Sequence, residues 1–171
     1  INKKTFKFKK KINFSISSDY TTSYLKELLP LFLANHSIDC TILEKEFGSL
    51  KFLSLDLSNT FWKNKSDFYL LMPSSNSLKY FPKLGDKIHV IKRKAKQDAK
   101  HWIDLWKNTK KNIIQTTFDP INIPNFSKLD GVKFGGYLHY IRLVNSILIE
   151  NLPQHVDLID IENLIIKNES L

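Results

Sequence analysis

Three polar turns follow predicted strands in this sequence, and their side chains are the ones best suited to chemistry. They are residues 17–22 (Ser-Ser-Asp-Tyr-Thr-Thr), residues 73–77 (Pro-Ser-Ser-Asn-Ser) and Asp119 before Pro120. Hydroxyl, carboxylate and backbone N–H groups can hydrogen-bond a ligand or a developing charge. In an open parallel sheet, sites lie beyond the carboxyl ends of the strands. We therefore expect residues 17–22 to form one wall of any site, and Asp119 could face the same crevice.

The same residues also suit ordinary structural roles. The first turn could cap the following helix through four oxygen-bearing side chains: Ser17, Ser18, Asp19 and Thr21. Gly48 suits a left-handed turn, Asn76 could bond its own backbone, and Asp119 could initiate a turn. The sequence has no Cys/His metal spacing, phosphate-binding glycine loop or dinucleotide fingerprint. It indicates neither a metal nor a nucleotide cofactor.

Hydrophobic periodicity predicts the elements that would position these turns. Alternating or near-continuous apolar runs predict strands over residues 12–16, 40–43, 67–72, 112–117 and 155–160. Helical spacing of apolar residues predicts helices from Tyr24, over residues 94–106, from Gly136 to before Pro153, and over residues 161–167. Pro30 should kink the first helix or leave it regular on one side only. Residues 49–65 hold neither period, which predicts a short helix or irregular segment over the sheet edge.

Strands and helices alternate without a hairpin signal, which predicts a parallel sheet of about five strands in a three-layer α/β/α sandwich. At 171 residues the chain suits one domain. We assign residues 12–167 to it, with a basic lead-in at 1–11 and a tail at 168–171. Trp102 and Trp106 are predicted core residues, whereas Trp62 could instead join an exposed docking patch.

The net charge of +9 is compatible with nucleic-acid binding. However, the lysines are spread over residues 3–11, 83–100 and 107–111, and the only arginines are Arg93 and Arg142. Few bidentate phosphate contacts are therefore available. This distribution makes nucleic acid the weaker interpretation and favours a basic docking face for an acidic protein.

No apolar run reaches the about 20 residues that a membrane span requires, and residues 1–11 lack the apolar segment of a signal peptide. The single cysteine, Cys40, cannot form an internal disulfide and suits a reducing compartment. We expect a cytoplasmic protein with no membrane contact. The sequence leaves the oligomeric state open.

From residue 12 to residue 164 the order of motifs resembles the SGNH-hydrolase-like domain at the N-terminus of FkbH-like proteins. The resemblance rests on residues 17–22, 46–48, 65–71, 115–120, Gly131, Asn145 and residues 156–160. In that family a haloacid-dehalogenase-type phosphatase domain follows and helps to load acyl or glyceryl units onto carrier proteins. The resemblance implies an acyl carrier protein or an adjoining phosphatase domain as partner.

An active SGNH hydrolase needs a serine nucleophile, two oxyanion donors and a histidine base. The resemblance places the nucleophile at Ser17 or Ser18, with Asp19 in that position in a shifted alignment. It places the glycine donor at Gly48. It places the asparagine donor at Asn76, although the glycine that usually precedes this asparagine is missing.

The histidine base is missing. In Asp160-Ile-Glu-Asn163 an amide stands where the base should be, and an amide cannot accept the serine proton at neutral pH. His155 should lie at the amino end of the last strand, and the other four histidines on helices or loops. The chain also lacks the paired aspartates and threonine of a haloacid-dehalogenase nucleophile, because Asp157 and Asp160 have a different spacing.

The sequence therefore favours a degenerate, non-catalytic SGNH-like domain that recognises a carrier protein or its acyl group. An active esterase or acyltransferase that uses Ser17 or Ser18 with an unrecognised base is the alternative. A basic nucleic-acid-binding module is a third interpretation.

Overall fold

The computed structural model describes residues 7–83, 85–119, 132–133 and 135–168, the last four by their backbone alone. Within these residues five strands form one sheet in the order β2-β1-β3-β4-β5. They are β1 Lys10–Ser18, β2 Ile38–Glu44, β3 Phe68–Met72, β4 Ile113–Thr116 and β5 Val156–Ile159. All neighbouring strands are parallel. The predicted α/β/α sandwich is confirmed, and the strand order reverses between β1 and β3, where ligands bind in such sheets.

Six helices lie in the described part of the chain, of which the first five connect strands and the last follows β5: α1 Ser23–Asn35, α2 Leu50–Leu53, α3 Thr60–Lys63, α4 Ile88–Thr109, α5 Tyr137–Glu150 and α6 Ile161–Asn168. A single 3-10 turn, Ser75–Ser77, follows β3. Pro30 lies inside α1, which continues on both sides of it. None of the described helices is long and apolar enough to span a membrane.

Two apolar clusters lie on the two faces of the sheet. The larger one packs β3, β4 and β5 against α2 to α5 and contains Trp102 and Trp106, as predicted. The smaller one, centred on Ile12, Phe14, Ile16 and Leu70, is covered by α1. Trp62 is 4% exposed and belongs to the larger cluster, so it is not part of an exposed docking patch.

Several element boundaries differ from the prediction because polar residues occupy the ends of elements. β1 begins at Lys10, inside the predicted lead-in, where Lys10 and Lys11 pair with β2 although their side chains are exposed. α4 begins at Ile88 rather than at residue 94. Residues 49–65 contain two short helices, and four of their apolar residues join the larger core instead of covering only the sheet edge: Leu50, Leu53, Phe61 and Trp62. The predicted loop at 120–131, with Gly131, lies outside the described residues, as do 1–6 and 169–171.

His101 on α4 gives the fold a specific pH dependence. Its Nε2 lies 3.0 Å from the Ser54 hydroxyl, and burial, assisted by the charge of Lys79, lowers its pKa below 6.5. Since the folded state prefers the neutral ring, the stability is complete above about pH 6.5 and falls as the pH drops through the lowered pKa. Urea unfolding between about pH 7.5 and about pH 5 should show a smaller loss of stability in His101→Gln than in wild type. An equal loss in both proteins would contradict this; His36→Gln, at an exposed histidine, is the control.

Candidate functional site

Three segments meet at the carboxyl edge of the sheet because β1, β3 and β4 are adjacent and parallel. Asp19 and Tyr20 follow β1, Ser74 and the Ser75–Ser77 turn follow β3, and Asp119 follows β4. The structure thus brings the first and second predicted turns and Asp119 into one crevice.

The Asp19 carboxylate joins the segments after β1 and β3. Its Oδ2 accepts hydrogen bonds from the Ser74 backbone N–H at 3.0 Å and from the Ser77 hydroxyl at 2.6 Å, with the Ser74 hydroxyl at 3.4 Å. The Asp19 backbone N–H also donates to the Met72 carbonyl at 3.0 Å. These bonds hold the carboxylate in place and direct Oδ2 toward protein donors rather than toward a ligand carbonyl.

Asp119 lies deeper in the crevice and is 1% exposed. Its Oδ1 accepts from the Ser75 backbone N–H at 3.3 Å. Its Oδ2 and the Tyr20 hydroxyl are both buried without a completed hydrogen bond among the described residues. Burial, reinforced by the neighbouring Asp119 carboxylate, raises the pKa of Tyr20. The phenol therefore stays protonated, which makes it a hydrogen-bond donor and a poor nucleophile.

Two residues of α5, Asn145 and Tyr137, form hydrogen bonds with the segments that carry Asp119 and Ser75. The Asn145 side chain accepts from the Phe118 N–H at 3.0 Å and donates to the Phe118 carbonyl at 2.9 Å. This pair of bonds fixes the backbone immediately before Asp119. The Tyr137 hydroxyl donates to the Ser75 carbonyl at 2.9 Å, and burial raises the pKa of Tyr137 to about 12.

Both serines predicted as the nucleophile lie inside β1. Ser17 is fully buried, and its hydroxyl lies 3.5 Å from that of Ser49. The Ser18 hydroxyl accepts from the Tyr20 N–H at 2.8 Å. The capping alternative is wrong. The residue at the N-cap position of α1 is Thr22, and its side chain makes no capping hydrogen bond.

The two predicted oxyanion donors lie in different surroundings. Gly48 has a φ of +73°, as the left-handed-turn alternative requires. Its N–H is used on the Ser18 carbonyl at 3.2 Å. Asn76 sits in the Ser75–Ser77 turn with its side chain exposed.

The degenerate Asp-x-x-His position lies at the start of α6. The Asp160 carboxylate accepts from the Asn163 backbone N–H at 3.1 Å, and the Asn163 side chain is exposed. His155 lies at the amino end of β5, as predicted, with Nε2 3.0 Å from the Trp106 carbonyl. His36, His89, His101 and His139 lie on helices or at a helix end. Among the described residues, no group of three or more His, Cys, Asp and Glu side chains could hold a metal ion.

The sequence analysis includes Tyr20 and Ser74 only as members of the turns 17–22 and 73–77 and assigns neither a role, and it misses Tyr137. Tyr137 carried only a helical core signal, and its bond to Ser75 spans 62 residues of sequence.

No protein-family model matches the sequence, and neither does any curated protein. The N-terminal part of the protein BF1531 from Bacteroides fragilis, solved with its phosphatase domain and Mg, superposes with a TM-score of 0.72 at 11% identity, over 92% of this chain and 42% of that chain. The acetyl xylan esterase AlAXEase superposes with a TM-score of 0.53 at 15% identity, over 94% of this chain and 83% of that one.

A mutant of Axe2, an acetyl-xylooligosaccharide esterase from Geobacillus, gives a TM-score of 0.53 at 16% identity, over 95% of this chain and 82% of that one. At these identities the similarity concerns the fold, which is SGNH-like. This chain spans less than half the length of the BF1531 chain.

Proposed function

We propose that this SGNH-like domain is non-catalytic and recognises an acyl carrier protein, or the acyl or glyceryl group on it, beside a phosphatase domain. The observation that carries the proposal is that the candidate catalytic groups are buried or hydrogen-bonded to other groups of the protein. The Ser17 hydroxyl is buried, the Ser18 hydroxyl accepts from the Tyr20 N–H, and the Gly48 N–H donates to the Ser18 carbonyl.

The missing base supports the same proposal. A serine hydroxyl attacks an ester only when a neighbouring base accepts its proton. Asn163 cannot take the proton, and the carboxylates of Asp19 and Asp119 accept hydrogen bonds from the segment after β3 rather than from either predicted serine in the described structure. What remains is a polar carboxyl edge of the sheet, with Asp119 and the Tyr20 hydroxyl buried within it, that can bind a group without cleaving it.

Hydrolysis assays test the absence of catalysis. Wild type should turn over short-chain aryl esters and an acyl thioester no faster than the Ser17→Ala and Ser18→Ala variants, and a fluorophosphonate should label none of the three. Circular dichroism confirms that each protein is folded. Labelling or turnover that disappears in either variant would overturn the proposal and favour the active esterase or acyltransferase, whose fold the esterase structures share.

An acidic partner is supported by the net charge of +9, and an adjoining phosphatase domain is supported by the similarity to a structure that includes one. Lys26, Lys100 and Arg142 form ion pairs with described carboxylates. The exposed Lys83 and Lys87 form none in the part of the chain that the structure describes, so they are available to an acidic surface. We include in the same proposal that residues 12–167 form one domain. We also propose a cytoplasmic location, which suits the free Cys40.

A further inference from the structure

The loop between the Ser75–Ser77 turn and α4 is the part of the described surface that combines positive charge with proximity to the crevice. We call residues 79–83 and 85–87 the basic loop. Between Lys79 and Lys100 the sequence has eight lysines and arginines and two aspartates. The loop and the first turns of α4 lie at the carboxyl edge, because they follow β3 directly.

Both aspartates between Lys79 and Lys100 accept hydrogen bonds from other groups of the protein. Asp98 is 5% exposed and accepts hydrogen bonds from the backbone N–H groups of Lys79 and Tyr80. Asp86 accepts from the Tyr80 hydroxyl and, at 2.7 Å, from the Lys83 backbone N–H. Both carboxylates therefore accept hydrogen bonds from the loop's own backbone, and neither forms an ion pair with Lys83 or Lys87 in the described structure.

Two lysines of the basic loop are accessible to a partner. Lys83 and Lys87 are exposed, and neither forms an ion pair in the part of the chain that the structure describes. An acidic partner surface would complement these charges, and this would increase the association rate as well as the affinity.

The basic loop also presents an exposed aromatic ring beside the crevice. Phe81 is 49% exposed and stacks on Tyr137 with the ring centroids 4.9 Å apart. The Tyr137 hydroxyl donates to the Ser75 carbonyl, so this stacked pair adjoins the turn that binds Asp119. An apolar ring at this place can contact an uncharged group on its way to the crevice.

We infer that Phe81, Lys83 and Lys87 form the docking surface for an acidic carrier protein, with the lysines on its acidic surface and the ring on the uncharged pantetheine part of its arm. This inference rests on the proposed function. Lys107, near the end of α4, is not part of this surface, because α4 has 22 residues and is about 33 Å long at about 1.5 Å per residue, which places Lys107 toward the opposite edge of the sheet.

Calorimetric titration with a bacterial acyl carrier protein, in its apo form and in its holo form with phosphopantetheine attached, tests the inference. Lys83→Glu/Lys87→Glu should weaken binding of both forms about tenfold at about 50 mM salt, and far less at about 500 mM. Phe81→Ala should leave apo binding unchanged and remove the preference for the holo form. The matched control Lys65→Glu/Lys107→Glu reverses two exposed charges at the amino edge and should bind like wild type.

The outcomes separate the two proposals. If wild type binds the carrier and the two charge-reversal pairs weaken that binding equally, the docking surface is wrong and the proposed function stands. Wild type that binds neither form would overturn both, and binding of single-stranded DNA instead would identify the nucleic-acid module. Since Lys83 and Lys87 have exposed side chains, their replacement leaves the core intact, so the test does not depend on how Phe81→Ala folds.

Discussion

Asp98→Ala should lower the free energy of unfolding by about 4 kcal/mol. The carboxylate is buried and accepts from the backbone N–H groups of Lys79 and Tyr80 and from the Tyr140 hydroxyl at 2.7 Å. Its removal leaves three donors without an acceptor, and each buried donor left unsatisfied costs about 1–3 kcal/mol. Urea unfolding followed by tryptophan fluorescence measures the loss.

Two variants separate this network from general effects of charge removal. Asp104→Ala removes another carboxylate of α4, one that is exposed and paired with Lys100, and it should change stability by less than about 0.5 kcal/mol. Tyr140→Phe removes one of the three donors and should cost about 1 kcal/mol. A small effect of Asp98→Ala, equal to that of Asp104→Ala, would mean that water replaces the lost acceptor.

A signal for this network was present in the sequence. Asp98 lies at helical spacing from Ile91, Ala95 and Trp102, all of which are buried. A carboxylate within an apolar stripe is costly unless donors surround it, so its position predicts a buried network. The partners could not be predicted, because Lys79 and Tyr80 belong to a loop without periodicity and Tyr140 lies 42 residues away.

The strands were predictable because their buried residues are mostly apolar. The end of β1 was not predictable. Ser15 and Ser17 are both fully buried on the sheet, and buried hydroxyls look like a turn in the sequence. Their burial continues β1 to Ser18 and moves the turn to Asp19 and Tyr20. A shift of this kind changes which side chains reach the crevice, and local patterns cannot reveal it.

The contacts that define the site are long-range, which limits any derivation from sequence. Asp19 meets Ser74 across 55 residues, and Asp119 meets Ser75 across 44. Parallel topology predicts that these turns share one edge of the sheet, but not which oxygen meets which N–H group. The position of His155 needed only the strand direction, and that prediction is confirmed.

Trp106→Ala should cost about 4 kcal/mol, close to the limit that a domain of this size tolerates. The indole is fully buried, and its Nε1–H donates to Gln115 Oε1 at 2.9 Å. The variant therefore leaves a cavity and also an unpaired amide, since Gln115 Nε2 already has no partner in the described structure. Comparing urea unfolding of Trp106→Phe with that of Trp106→Phe/Gln115→Leu separates the effect of the unpaired amide from that of the cavity. The double variant removes both polar groups and should be about 1 kcal/mol more stable than Trp106→Phe alone. A double variant less stable than Trp106→Phe would show that the Gln115 amide is satisfied without the indole.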